Sequence, residues 1–303
     1  LKIFWHGQIV NQVASLINTA FDGIDRVWES SRMRRWIMWL LLVSFFGTLV
    51  LVEMERHHWL PALLAGVVPE NHFYAVNLVF SVVLVIEVAS LALSIAGSVA
   101  NALGRQFEIL SLILLRQAFK EFIYFNEPIE WSKVQGPIAN MLSDAAGGLA
   151  LFFAVWLYYR IQTHRAITND PEERYRFVTA KKFLALLLLA VFAVMGVMHL
   201  ASLLLHHEVQ SGSHGFFDAF YTVLIFSDIL LVLISLRYSS HYPIVFRNSG
   251  FALATVFIRL ALTAPPFVNV GIALAAIAFA IGLSLAYRTF LGGAPEAASS
   301  ISS

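Results

Sequence analysis

The sequence predicts an all-α integral membrane protein with about eight transmembrane helices, arranged as two parallel-repeat four-helix bundles behind an N-terminal amphipathic helix. Three observations carry that prediction. Of 303 residues, 59% are hydrophobic and only 13% charged, and the mean hydropathy is +0.74, whereas a soluble chain carries roughly a quarter of its residues as charges. The apolar residues gather in runs that approach or exceed the roughly 20 helical residues needed to cross about 30 Å of hydrocarbon. Finally, fifteen of the 20 lysines and arginines fall in alternate connecting segments, the bias expected when one set of loops faces the cytoplasm.

The elements follow in chain order. Ile9, Val13, Leu16, Ile17, Ala20, Phe21, Ile24, Val27 and Trp28 recur at three- and four-residue steps, opposite Asn11, Gln12, Ser15, Asn18, Asp22, Asp25 and Glu29. This pattern predicts an amphipathic helix within 1–33 that lies on the inner leaflet, against a partner, or on the protein's own loops. Six strong spans are read at 36–52, 74–97, 145–159, 183–205, 216–236 and 267–287. Two weaker ones are 105–125, which contains Glu108 and Arg116, and 248–264, which contains Arg259. The expected units are a first repeat at 34–163, a charged cytoplasmic linker at 164–180, a second repeat at 181–291 and a flexible tail at 292–303. Both termini are expected in the cytoplasm. The chain opens at Leu1 without a signal-peptide pattern, which leaves room for residues ahead of it.

The two weak spans are counted because the chain reads as a tandem duplication. Arg34-Arg35 precede the first span and Lys181-Lys182 the fifth, and histidine pairs follow both, His57-His58 and His206-His207. Another histidine (His72, His214) precedes the next span, which contains a carboxylate (Glu87, Asp228). An arginine then opens the third helix (Arg105, Arg247), another lies inside it (Arg116, Arg259), and the fourth helix ends in Tyr159-Arg160 or Tyr287-Arg288. Four helices per copy is an even number. The copies therefore share one orientation, unlike the inverted repeats of many transporters.

The second copy, with Asp228, the turn His241-Tyr242-Pro243, Arg247 and the run from Ala254 to Arg259, resembles the PsiE family of phosphate-starvation-inducible membrane proteins. That resemblance implies a four-helix bundle in a bacterial inner membrane and implies no activity. Glu87, Arg105 and Arg116 keep the pattern in the first copy, which lacks the His-x-Pro turn.

Within each copy an acid and a base are expected at matching depth. Glu87 and Arg116, like Asp228 and Arg259, sit roughly 15 Å from the same face at 1.5 Å per residue. Left alone in lipid, each charge costs at least about 2.5 kcal/mol, so the two are expected to pair. One reading is a clamp that fixes the register of neighbouring helices, with no further carboxylate to form a relay. The other is an ion or proton pathway.

Seven histidines, His57, His58, His72, His199, His206, His207 and His214, are expected near the outer surface. With Glu53, Glu55, Glu70 and Glu208 they could ligate a divalent metal, and His199 or His72 could serve as axial ligands of haem b. The alternative is that they simply solvate helix ends. The sequence requires no cofactor. Cysteine is absent, which excludes disulfides, thiolate metal sites and cysteine nucleophiles. No catalytic or nucleotide-binding motif appears, and the net charge of +1 gives no footprint for nucleic acid. The expected function is a non-catalytic membrane subunit or scaffold within a larger complex. The alternatives are a channel or transporter using the charge pairs, or a haem- or metal-binding membrane protein.

Overall fold

The computed structural model describes residues 2–59, 71–96, 99–125, 127–162, 171–206, 212–238 and 242–292, without the side chains of 2–11, 99–100, 171–174, 199–206, 212–218, 235–238, 242–244 and 290–292. Among the described residues there are nine α-helices and no strand. They are α1 (Lys2–Trp28), α2 (Ser31–Arg56), α3 (Phe73–Ser94), α4 (Val99–Lys120), α5 (Trp131–Ile161), α6 (Pro171–His206), α7 (Gly212–Tyr238), α8 (Tyr242–Thr263) and α9 (Val268–Gly292). A 3₁₀ turn, Glu121–Tyr124, follows α4.

Six helices are long and apolar enough to cross a membrane: α2, α3, α5, α6, α8 and α9. The chain is thus a multi-pass membrane protein in contact with lipid. The segment 248–264, read as weak, belongs to this group. In α7 the described apolar stretch, Ala219–Ile234, is shorter than a full span, and α4 falls short because Arg105, Gln106, Glu108, Arg116 and Gln117 interrupt it.

Local chemistry sets several helix ends. Ser30 is extended and its Oγ accepts the Met33 amide at 3.1 Å, capping α2 and separating it from α1. At the other end of α2, His58 takes φ 55°, while the amides of His58 and Trp59 return to the carbonyls of Glu55 and Met54. This is a Schellman ending, with a histidine where glycine is usual. Pro171 begins α6, where its missing N–H costs nothing. The segment 171–180, read as part of a linker, is therefore the start of a helix. Likewise α5 starts at Trp131, well before the expected boundary at 145, and carries Pro137 in its interior. Its 31 residues span about 46 Å, longer than the hydrocarbon core alone requires.

One hydrophobic core draws residues from α3 through α9, including Leu91, Phe107, Leu151, Leu188, Phe220, Ile258 and Ala276. Sequential neighbours pack together except α5 and α6, and α4 meets α8, α5 meets α9 and α3 meets α6 across the middle. Helix α5 comes close to two neighbours through adjacent glycines. A Cβ on Gly148 would stand 3.0 Å from the Ser111 carbonyl oxygen of α4, and one on Gly147 would stand 2.4 Å from Val270 of α9. Helix α2 stays at the edge, with only Thr48 and Val52 buried.

Helix α1 packs on the bundle through polar contacts. Asn18 donates to Tyr175 Oη and Thr179 Oγ1 of α6, both at 3.0 Å, Lys182 Nζ donates to Asp22 at 2.6 Å, and Trp28 Nε1 donates to Ser90 of α3 at 3.0 Å. Phe21 is buried beside Leu93 and Ala185. Val13, Leu16, Ile24 and Val27 form an exposed apolar stripe, so α1 turns that stripe away from the bundle.

Candidate functional site

The buried polar groups fall into three sets. Between α3 and α4, Arg116 Nη1 donates to Glu87 Oε1. Glu87 is buried while about a third of the Arg116 side chain is exposed (34%). Between α7 and α8, Arg259 Nε lies 3.4 Å from Asp228 Oδ2, with side-chain exposures of 0% and 2%. Arg259 also donates through Nη2 to Gln106 Oε1 of α4 at 3.2 Å. Charges this deep need partners, because removing them from bulk water is costly.

The third set contains a carboxylate that the sequence reading did not select. Asp144 of α5 is buried and accepts from Asn269 Nδ2 of α9 at 2.7 Å; the same amide reaches Gln117 Oε1 of α4 at 3.3 Å. The expected span began at 145, one residue later, which left Asp144 in a loop. An acid abutting the glycine-rich start of an apolar run was the available signal.

Beside Asp228 lies an inner cavity of about 50 Å³. Its polar lining is Gln106, Lys181, Asp228, Asn248 and Thr255, drawn from α4, α6, α7 and α8. Lys181 and Asn248 are each 3% exposed. Neither Oδ1 nor Nδ2 of Asn248 has a hydrogen-bond partner among the described residues. A wider cavity of about 590 Å³ lies under α1, lined in part by Asp22, Asp25, Arg105, Tyr159 and Lys182. Ala102 lines both cavities. Burial, with Glu29 and Asp22 nearby, pushes the Asp25 carboxyl above the usual carboxylate range. Sequence reading had no reason to select Gln106 or Asn248, since lone amides in apolar helices announce neither depth nor direction.

Of the seven histidines, the side chains of His57, His58 and His72 are described. His72 Nε2 lies 3.1 Å from Glu53 and its Nδ1 3.0 Å from Glu127, while His57 Nε2 lies 3.3 Å from Glu53. Arg56 stands 3.9 and 3.8 Å from the same two carboxylates, so a cation already occupies the centre of this cluster. His58 terminates α2. Among the described residues no three His, Asp or Glu side chains converge to hold a metal. His199, His206 and His214 lie on α6 and α7, with side chains outside the described set, and His207, Glu70, Glu208 and His241 lie outside the described residues altogether. Of the residues expected in the turn before α8, Pro243 falls in the first turn of that helix. Arg247 is buried, with its guanidinium 4.6 Å from the centre of the Tyr287 ring.

Compared with known proteins, the chain matches no family model, no curated sequence and no solved structure.

Proposed function

We propose that the chain is a non-catalytic membrane subunit or scaffold of PsiE-like build, with eight spans in two tandem four-helix units, both termini cytoplasmic, in a bacterial inner membrane. The observation that carries this reading is the pairing of acid with base across adjacent helices, Glu87 with Arg116 and Asp228 with Arg259. Such pairs hold helices in register without needing a ligand. In support of eight spans, α4 and α7 pack in the same core as the six apolar helices. The outward stripe of Val13, Leu16, Ile24 and Val27 suits an interfacial helix at the inner leaflet. Trp36, Trp39, Val43, Phe46 and Val50 leave α2 with an apolar surface for lipid or a partner helix. Extraction in gentle detergent should yield a complex larger than the 33.8 kDa chain. A clean monomer without co-purifying proteins would sink the proposal.

A second reading, passage of ions or protons along the pairs, is favoured by the cavity beside Asp228. In proteoliposomes it requires flux that falls with Glu87→Gln or Asp228→Asn; unchanged flux removes those residues from any pathway.

A further inference from the structure

The inner cavity combines features that a packing defect lacks. Empty defects are apolar, whereas the wall of this cavity, mostly apolar through residues such as Leu103, Phe177, Leu231 and Phe251, also carries a carboxylate, an ammonium group, two amides and a hydroxyl. Buried polar atoms in folded proteins are almost always hydrogen-bonded. Here both polar atoms of Asn248, 3% exposed, have no partner among the described residues, while Asp228 Oδ2 has Arg259 Nε 3.4 Å away. At about 50 Å³ the cavity exceeds the roughly 10–15 Å³ that one water molecule needs.

Its position supplies the second argument. Ala102 lines both the wide cavity under α1 and the inner one, and the adjacent residues Lys181 and Lys182 line one each. Helix α1 packs on the start of α6, at Tyr175, Thr179 and Lys182, and near the end of α3, at Ser90 and Leu93. Both cavities therefore belong to the same end of the bundle. Around the inner cavity the titratable groups are Asp228 from α7, Lys181 from α6 and, behind Asp228, Arg259 from α8. Helix α4 contributes Gln106 and the end of α3 contributes Ile95, neither of which titrates.

We propose that the inner cavity is a hydrated half-channel that brings water, and with it exchangeable protons, from the face on which α1 packs to Asp228. No equivalent path is assigned to Glu87, whose arginine is itself partly exposed. This inference rests on the membrane reading and not on transport, since a blind half-channel admits water without conducting.

The chain has no cysteine, so an introduced cysteine is its only thiol. Ala252→Cys and Ala102→Cys place that thiol on the cavity wall. Leu253→Cys places it on the exposed apolar side of the same helix. Each full-length variant is reconstituted in vesicles, exposed to silver ion from one side, then denatured and labelled with a maleimide dye. Silver on the α1 side should protect Ala252→Cys and Ala102→Cys from nearly all labelling and leave Leu253→Cys fully labelled. Full labelling of both cavity variants overturns the proposal, as does protection only from the opposite side. Should Ala252→Cys fail to fold, Thr255→Cys, close in size to the native side chain, reads the same wall. Because flux is not measured, failure of the transport reading leaves this result untouched.

Discussion

Arg259 Nε stands 3.4 Å from Asp228 Oδ2 with neither side chain open to solvent, and the same guanidinium reaches across to Gln106 of α4. One side chain thus ties α7 and α8 to a helix from the first half of the chain.

Removing one member of this pair strands the other. Asp228→Asn should destabilise the protein in detergent by about 3–5 kcal/mol, as measured for other buried pairs, while the apolar double replacement Asp228→Leu with Arg259→Met should recover most of the loss. Glu87→Gln should cost less, because the partly exposed Arg116 can find water. Denaturant titration of the three variants checks the order; equal losses at Glu87 and Asp228 would show that burial does not set it.

Gly148 and Gly271 should respond in opposite senses to alanine. At Gly148 the new Cβ meets the Ser111 carbonyl oxygen at 3.0 Å, a backbone atom with little freedom to shift. Overpacking of this kind costs about 1–3 kcal/mol. Nothing lies within 4 Å of a Cβ at Gly271, so there the helix propensity of alanine should add up to about 1 kcal/mol. Thermal unfolding of the two variants, side by side, reads the contrast.

His58 ends α2 with φ 55°, a conformation that costs a residue with a side chain roughly 1–2 kcal/mol. His58→Gly should therefore stabilise the protein. If His58 instead contributes a metal ligand, the same substitution should lower stability and release metal on elemental analysis.

Asp25 gives a pH test outside the membrane. Burial, reinforced by Glu29 and Asp22, holds its folded-state carboxyl above the usual range, so the folded state binds its proton more tightly than the unfolded chain. The associated stability is fully present below the ordinary carboxylate range and is lost as pH rises through the folded value. Asp25→Asn should stabilise the packing of α1 at neutral pH and make no difference in strong acid. Hydrogen exchange of α1 amides against pH measures this; a gain that persists unchanged into acid would refute the assignment.

Much of this was legible in the order of residues. Runs of apolar side chains must become helices in lipid, where no backbone group can go unbonded, and that reasoning needs no partner. The periodicity at 9–28 likewise marked α1, and the matched depths of Glu87 with Arg116 and of Asp228 with Arg259 placed each acid near its base. Boundaries were harder to read. Pro171 opens a helix within a charged segment read as linker, and α5 begins at Trp131 because helix formation needs bonded turns rather than apolar ones.

Helicity, burial in lipid and a few opposed charges can all be read from the order of residues, because those properties depend on composition and spacing along one chain. Only the tertiary structure decided which polar groups share a neighbourhood. Asn269 meets Asp144 across α9 and α5, Gln106 completes Arg259, and Asn248 faces a cavity beside Asp228. Each of these meetings joins residues on different helices, several of them more than a hundred positions apart, and their distance is set by how the helices pack, which no local pattern encodes.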